Sequence, residues 1–216
     1  MGHLAPSIIA ADFGHLADEL ERVEPYSQLW HVDVMDGHYV PNLTIGPMVV
    51  EAIASASKLP QDVHLMITNP AETWEWYAKA GASRIAFHPE TAPDVPALLR
   101  DLRAAGIGAG LAVNPDVDAE EIRPYVGDVD LLIVMSVYPG FSGQQFIPDA
   151  VPKLRELRDM VGPDLDLVID GGVSERTAPQ CVEAGANVLV SASAIFGSDD
   201  PGATAKRLKA IADGAS

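Results

Sequence analysis

In His31-Val32-Asp33-Val34-Met35-Asp36-Gly37, an imidazole and a carboxylate stand two residues apart inside a run that reads as a β-strand. Alternation along a strand sends His31, Asp33 and Met35 to the same face. The run Val63-His64-Leu65-Met66 repeats the pattern, and Leu167-Val168-Ile169-Asp170-Gly171-Gly172 closes an apolar strand with a third carboxylate. Two histidines and two aspartates at strand positions offer mixed nitrogen and oxygen donors for one divalent first-row ion: Zn, Fe(II), Mn or Co. A lone strand histidine is usually a satisfied core residue. The metal reading rests on His31, Asp33, His64 and Asp170 all falling late in their strands.

Two carboxylates at one such site have a further consequence. If they face a substrate from opposite sides, one removes a proton and the other returns it to the opposite face. Inversion of a carbon next to a carbonyl requires such a pair, and a cation would stabilise the enediolate oxygens as charge develops. Met35, Met66 and Met135, expected on inward faces near the same end, would make the surroundings poor in water, or would simply fill the core.

Three glycine- or serine-containing turns follow the late strands. Pro139-Gly140-Phe141-Ser142-Gly143-Gln144 follows the sixth, Asp170-Gly171-Gly172-Val173 ends the seventh, and Ser191-Ala192-Ser193-Ala194 follows the eighth. Exposed backbone N–H groups at such places cradle phosphate. Any one of these turns is weak support; the three together favour a phosphorylated small molecule. A cradle of backbone donors also suits a chain with a formal charge of −17.

The elements that must position these residues alternate along the whole chain. Strands are expected at 4–10, 28–35, 61–67, 84–88, 107–113, 130–136, 165–170 and 187–191, with amphipathic runs such as 16–23 and 150–157 between them. Eight units of roughly 25 residues match βα repeats. They predict a single-domain (β/α)8 TIM barrel of the phosphate-binding type spanning residues 1–216, with an open doubly wound sheet as the alternative. Function should then collect where strands end and βα loops begin.

Composition narrows the field further. The acidic balance argues against nucleic acid, which needs a cationic face. No apolar run reaches the roughly 18 residues of a membrane span. The N-terminus has no basic region or cleavage site, so a cytoplasmic protein is expected. Cys181, the single cysteine, lies in a helix-like run with no basic neighbour and reads as a packed thiol. No lysine falls in an expected strand, which argues against a Schiff-base aldolase. The chain has no Asp-x-Lys-x-x-Asp pattern, no Walker A loop and no Gly-x-Gly-x-x-Gly turn, which disfavours decarboxylase-type barrels and nucleotide use.

Pro6-Ser7-Ile8, the stretch from His31 to His38, Val40-Pro41-Asn42, His64-Leu65-Met66 and Asp170-Gly171-Gly172-Val173 resemble the ribulose-phosphate 3-epimerases over nearly the whole chain. The resemblance implies interconversion of D-ribulose 5-phosphate and D-xylulose 5-phosphate in the pentose phosphate pathway. It also implies one divalent metal on His31, Asp33, His64 and Asp170, with Asp33 and Asp170 as the acid/base pair. The substrate-binding set it implies is Ser7, His64, Met35, Met66, Met135, Gly140, Phe141, Ser142, Gly143, Gly171, Gly172, Ala192 and Ser193. A homo-oligomer is expected. A 3-epimerase for a ketohexose 6-phosphate such as D-allulose 6-phosphate is the nearest alternative, and a non-catalytic sugar-phosphate-binding barrel the next.

The family usually has Gly at Ser142 and Ala192, and Asn or Glu at Tyr138. The proton chemistry is untouched by these changes, but the side chains would crowd the phosphate end. Backbone donors at 142 and 192 survive if the local φ is negative. Asp36, His38, His88 and Asn114 also fall near strand ends, where they would line the pocket, orient the ligating side chains or serve structure alone.

Overall fold

The computed structural model describes residues 2–214. Eight parallel strands form one sheet: β1 (His3–Pro6), β2 (Trp30–Met35), β3 (Gln61–Met66), β4 (Arg84–Phe87), β5 (Gly108–Val113), β6 (Leu131–Met135), β7 (Asp166–Asp170) and β8 (Val188–Ser191). From β2 to β8 each strand pairs with its neighbour in sequence, and β1 pairs with β8. A parallel bridge between Ser7 and His31 brings the remaining edges, β1 and β2, together. The expected barrel is what forms.

Helices α1 (Leu16–Val23), α2 (Pro47–Ala56), α3 (Pro70–Ala80), α4 (Val95–Ala104), α5 (Ala119–Ile122), α6 (Ala150–Val161), α7 (Ala178–Glu183), α8 (Ser193–Phe196) and α9 (Pro201–Ala212) follow the strands. Several prolines sit in first helical turns (Pro47, Pro70, Pro96 and Pro201), where no N–H is needed. Asp94 and Asp200 cap α4 and α9 by accepting from Ala97 N at 2.9 Å and Ala203 N at 3.0 Å. No described helix is long and apolar enough to cross a membrane.

One boundary differs from the sequence reading. The first strand stops at Pro6 instead of running to residue 10, and Ile8–Ala10 forms a 3-10 turn. The cause is Ser7, whose hydroxyl accepts from Ile9 N at 3.4 Å and turns the chain out of the sheet.

Alternate strand residues feed two cores. Val32, Val34, Val63, Leu65, Ile85 and Phe87 pack outward under the helices. Inside the barrel, β5 to β8 contribute Ala112, Leu131, Ile133, Met135, Val168, Val188 and Val190. The inner filling is tight at Gly110, where a Cβ would lie 2.7 Å from the Leu131 side chain and 3.0 Å from Ala86 Cβ. β2 and β3 instead carry His31, Asp33, Asp62 and His64, all buried. One side of the barrel interior is therefore apolar and the other is built from titratable groups.

Candidate active site

Strand register creates the cluster. Asp33 pairs directly with His64 across β2 and β3, and His31 pairs with Asp62. Asp170 ends β7 opposite Met135 of β6. His31 Nε2 lies 3.3 Å from Asp33 Oδ1 and 3.6 Å from Asp170 Oδ2. His64 Nδ1 lies 3.4 Å from Asp33 Oδ1 and 3.6 Å from Asp170 Oδ2. All four candidate ligand atoms lie within 4.8 Å of one another.

These distances fit a shared cation. Ligands about 2.1 Å from a tetrahedral centre stand about 3.4 Å apart. The two ligand nitrogens, His31 Nε2 and His64 Nδ1, are buried and make no well-formed hydrogen bond. A buried polar atom without a partner is costly, and a metal at the centre of the four groups would satisfy both. The cluster could thus hold a metal ion.

The electrostatics point the same way. Burial alone would push the His31 pKa down, but Asp33, Asp170 and Asp62 outweigh it and hold that imidazole well above its ordinary range. His64 is raised as well: burial opposes its charge, and Asp170 and Asp33 prevail. Burial works to raise Asp33, yet His31 and then His64 keep its carboxyl far below the usual range. Such a pocket attracts positive charge, whether as protons or as a cation.

Each histidine is held from behind. His31 Nδ1 faces Asp62 Oδ2 at 3.3 Å, and Asp62 is paired with Arg84 at 3.2 Å. Arg84 also donates to Asp166 at 2.5 Å. Burial would raise the Asp62 carboxyl, but Arg84 and His31 lower it to about 2. On the other side, His64 Nε2 and His88 Nε2 are 2.9 Å apart. Asp33 is steadied by Ser7, whose hydroxyl donates to Oδ2 while Oδ1 faces the histidines.

A cleft of about 530 Å³, open to solvent, sits over the cluster. Its wall includes Ser7, Asp33, Met35, Met66, Met135, Gly140, Phe141, Ser142, Gly143, Asp170, Gly171, Gly172, Ala192 and Ser193. The residues expected to touch substrate therefore converge, with one exception. His64 is fully buried and is not in the cleft wall. Ile9, Val137, Pro139, Gln144, Val173 and Val190 complete the wall. Pro139, Gln144 and Val173 belong to the turns quoted from sequence but lie outside the expected substrate-binding set, and Ile9, Val137 and Val190 were not singled out. Gln144 had a legible signal, being the only amide in the glycine turn. Its side chain donates to Tyr138 O at 2.7 Å and Phe141 O at 2.9 Å, which fixes the loop after β6.

Ser142 and Ala192 have negative φ, since every described residue with positive φ is glycine. Their N–H groups are thus available much as a glycine's would be. Tyr138 is exposed and lies outside the wall. Asp36 proves structural: it accepts from His38 N, Tyr39 N, Thr68 N and the Thr68 hydroxyl, tying the loop after β2 to the loop after β3. His38 bonds back to Asp36 O within that same turn. Asn114 donates to the Tyr39 hydroxyl at 2.8 Å and to Glu90 Oε1 at 2.7 Å.

A family model described as "Ribulose-phosphate 3 epimerase family" matches residues 3–196. A ribulose-phosphate 3-epimerase from Mycobacterium tuberculosis is 46% identical over 216 residues, covering 99% of this chain and 94% of the relative. One from Bacillus subtilis is 42% identical over 215 residues, covering 97% and 96%. Among solved structures, 3-hexulose-6-phosphate synthase from Salmonella typhimurium superposes with a TM-score of 0.75 at 17% identity, covering 99% and 100% of the two chains. At that identity the likeness extends to the barrel fold alone.

Proposed function

The chain belongs to the ribulose-phosphate 3-epimerase family, and on that premise we propose how its cleft works. The protein is an isomerase that interconverts D-ribulose 5-phosphate and D-xylulose 5-phosphate, which differ only at C3. The relatives lend no support to a ketohexose 6-phosphate epimerase or to a non-catalytic barrel. One observation carries the assignment of roles: two carboxylates converge to within 4.8 Å beside a cleft walled by methionines and by the loops after the late strands.

Asp33 and Asp170 are the acid/base pair. One takes the C3 proton, and the electron pair moves toward the C2 carbonyl to give an enediolate. The other delivers a proton to C3 from the opposite face. Asp33 Oδ2, beside Ser7 in the cleft wall, is the oxygen placed for this exchange. Ser7 contacts the substrate and keeps that oxygen oriented. His31, Asp33, His64 and Asp170 would hold a divalent ion, Zn, Fe(II), Mn or Co. When bound, it supplies positive charge that stabilises the enediolate oxygens.

Met35, Met66 and Met135 exclude water from the reacting carbon without offering competing hydrogen bonds. The phosphate is held by backbone N–H groups of 140–143, 171–172 and 192–193. This arrangement supplies local donors in a chain of net negative charge. We place the protein in the cytoplasm, as one 41% identical relative from Oryza sativa is named a cytoplasmic isoform, and expect it to act as a homo-oligomer.

The direct test is turnover in D2O. Deuterium should appear at C3 of the product at one atom per conversion, and metal analysis should find one divalent ion per chain. Conversion with the original C3 hydrogen fully retained would overturn the two-base reading.

A further inference from the structure

We propose that His88 is a positioning residue that fixes which nitrogen of His64 faces the carboxylates, and so sets the geometry of the metal centre. The proposal rests on the metal reading above. The two histidines present different atoms to the centre, His31 through Nε2 and His64 through Nδ1. Ligation requires a bare nitrogen, so the proton of His64 must reside on Nε2. That N–H points at His88 Nε2, 2.9 Å away. A ring nitrogen that receives this hydrogen bond must itself be bare, which puts the His88 proton on Nδ1.

The surroundings support that assignment. His88 Nδ1 makes no hydrogen bond, but it lies 3.8 Å from Glu90 Oε1, so a proton there faces negative charge. Glu90 Oε1 is held in place by the Tyr39 hydroxyl at 2.6 Å and by Asn114 Nδ2 at 2.7 Å. Tyr39 also packs against the His88 ring, with centroids 4.9 Å apart, while the His64 ring, its centroid 5.1 Å away, meets His88 edge to edge through the two Nε2 atoms. His88 is fully buried and is not itself part of the cleft wall where substrate would sit. It therefore acts through His64. The contrast with His31, backed by the Asp62 carboxylate, makes the centre asymmetric: one imidazole leans on an anion and the other on a neutral ring.

The test compares wild-type, His88→Gln and His88→Leu proteins, each loaded with Co(II) and checked for folding by near-ultraviolet circular dichroism. Glutamine places an acceptor where His88 Nε2 stands, whereas leucine removes it. Wild type and His88→Gln should share one visible Co(II) spectrum and similar rates of metal loss to a chelator. His88→Leu should bind Co(II) roughly ten- to a hundredfold more weakly and shift the visible bands. At saturating Co(II) its kcat should fall with little change in KM.

A His88→Leu protein with wild-type affinity and spectrum would overturn the proposal while leaving the metal site intact. Failure of wild type to take up any Co(II) would instead remove the metal reading, and the positioning role with it. Nitrogen-15 spectra of the Zn-loaded wild type give an answer even if the leucine variant does not fold. They should show His88 protonated at Nδ1, and protonation at Nε2 would overturn the assignment.

Discussion

Asp33 on β2 and Asp170 on β7 bring carboxylate oxygens within 4.8 Å although β8 and β1 lie between their strands. The intervening strand ends contribute Ser7, Val190 and Ala192 to the cleft wall. On the proposed mechanism, a ketose seated there would meet one carboxylate on each side.

This arrangement predicts an asymmetry that a single base could not produce. Asp33→Asn and Asp170→Asn should each lower kcat/KM by roughly 10²- to 10⁴-fold. In each variant the remaining carboxylate can still deprotonate one of the two epimers. That epimer should exchange its C3 hydrogen with D2O without converting, while the other does neither. The epimer that exchanges should switch between the two variants. Exchange of both epimers in either variant, at wild-type metal content, would refute the pairing.

Below the centre, Asp62 is fully buried and depends on Arg84. Arg84→Met would leave the carboxylate without its cation inside the barrel. Removing one partner of a buried pair costs about 3–5 kcal/mol. Urea denaturation should show a loss of that size. The double variant Asp62→Asn with Arg84→Met should recover part of it, because the fully buried carboxylate is gone and only the partly exposed Asp166 is left without its Arg84 partner. Equal stability of Arg84→Met and wild type would show that the pair contributes nothing.

Much of this was legible in the sequence because strand alternation is a strict code. His31, Asp33 and Met35 had to share a face, and the barrel had only one end at which late-strand residues could meet. Cys181 was read as a packed thiol; it is fully buried, and burial pushes its pKa up to about 12. Asp62 was missed, although Asp62 and His64 stand two residues apart just as His31 and Asp33 do. A carboxylate early in a strand faces the floor of the barrel, and nothing local says that it will sit behind a histidine of the neighbouring strand. The Tyr39, His88, Glu90 and Asn114 cluster was harder still. It joins the loops after β2, β4 and β5, with 51 residues between Tyr39 and Glu90 and 75 between Tyr39 and Asn114. Only closure of the barrel brings them together.

The phosphate end offers a contrast between kinds of glycine. Ser142→Gly and Ala192→Gly should leave KM within about threefold, under ~0.7 kcal/mol, because both positions already have negative φ and keep their N–H groups. Gly171→Ala should behave differently. Gly171 has φ +113°, and a Cβ would lie 2.5 Å from Val137 Cγ2 and 2.9 Å from Val137 N. The loop must move to admit it, so KM should rise more than about tenfold. Steady-state kinetics on the three variants checks both halves, and a large KM change in Ser142→Gly would mean that the serine hydroxyl itself binds phosphate.

Asp36 gives a prediction in pH. Burial would raise its carboxyl, but hydrogen bonds from Thr68, Tyr39 and His38 outweigh it and lower the pKa from 3.8 to about 2. A folded pKa below the unfolded one means that the unfolded chain takes up the proton first as pH falls. The stability Asp36 contributes is therefore complete above about pH 4 and is lost as pH drops toward about 2. Asp36→Asn has no such titration, and its amide turns N–H groups toward donors that now face a carboxylate. The urea midpoint of wild type should exceed that of Asp36→Asn by a constant margin from pH 7 to about pH 4.5, then converge on it below. The other acidic groups titrate alike in both proteins and cancel in the difference. A gap that stays constant down to pH 2.5 would show that the Asp36 charge does not hold the two loops together.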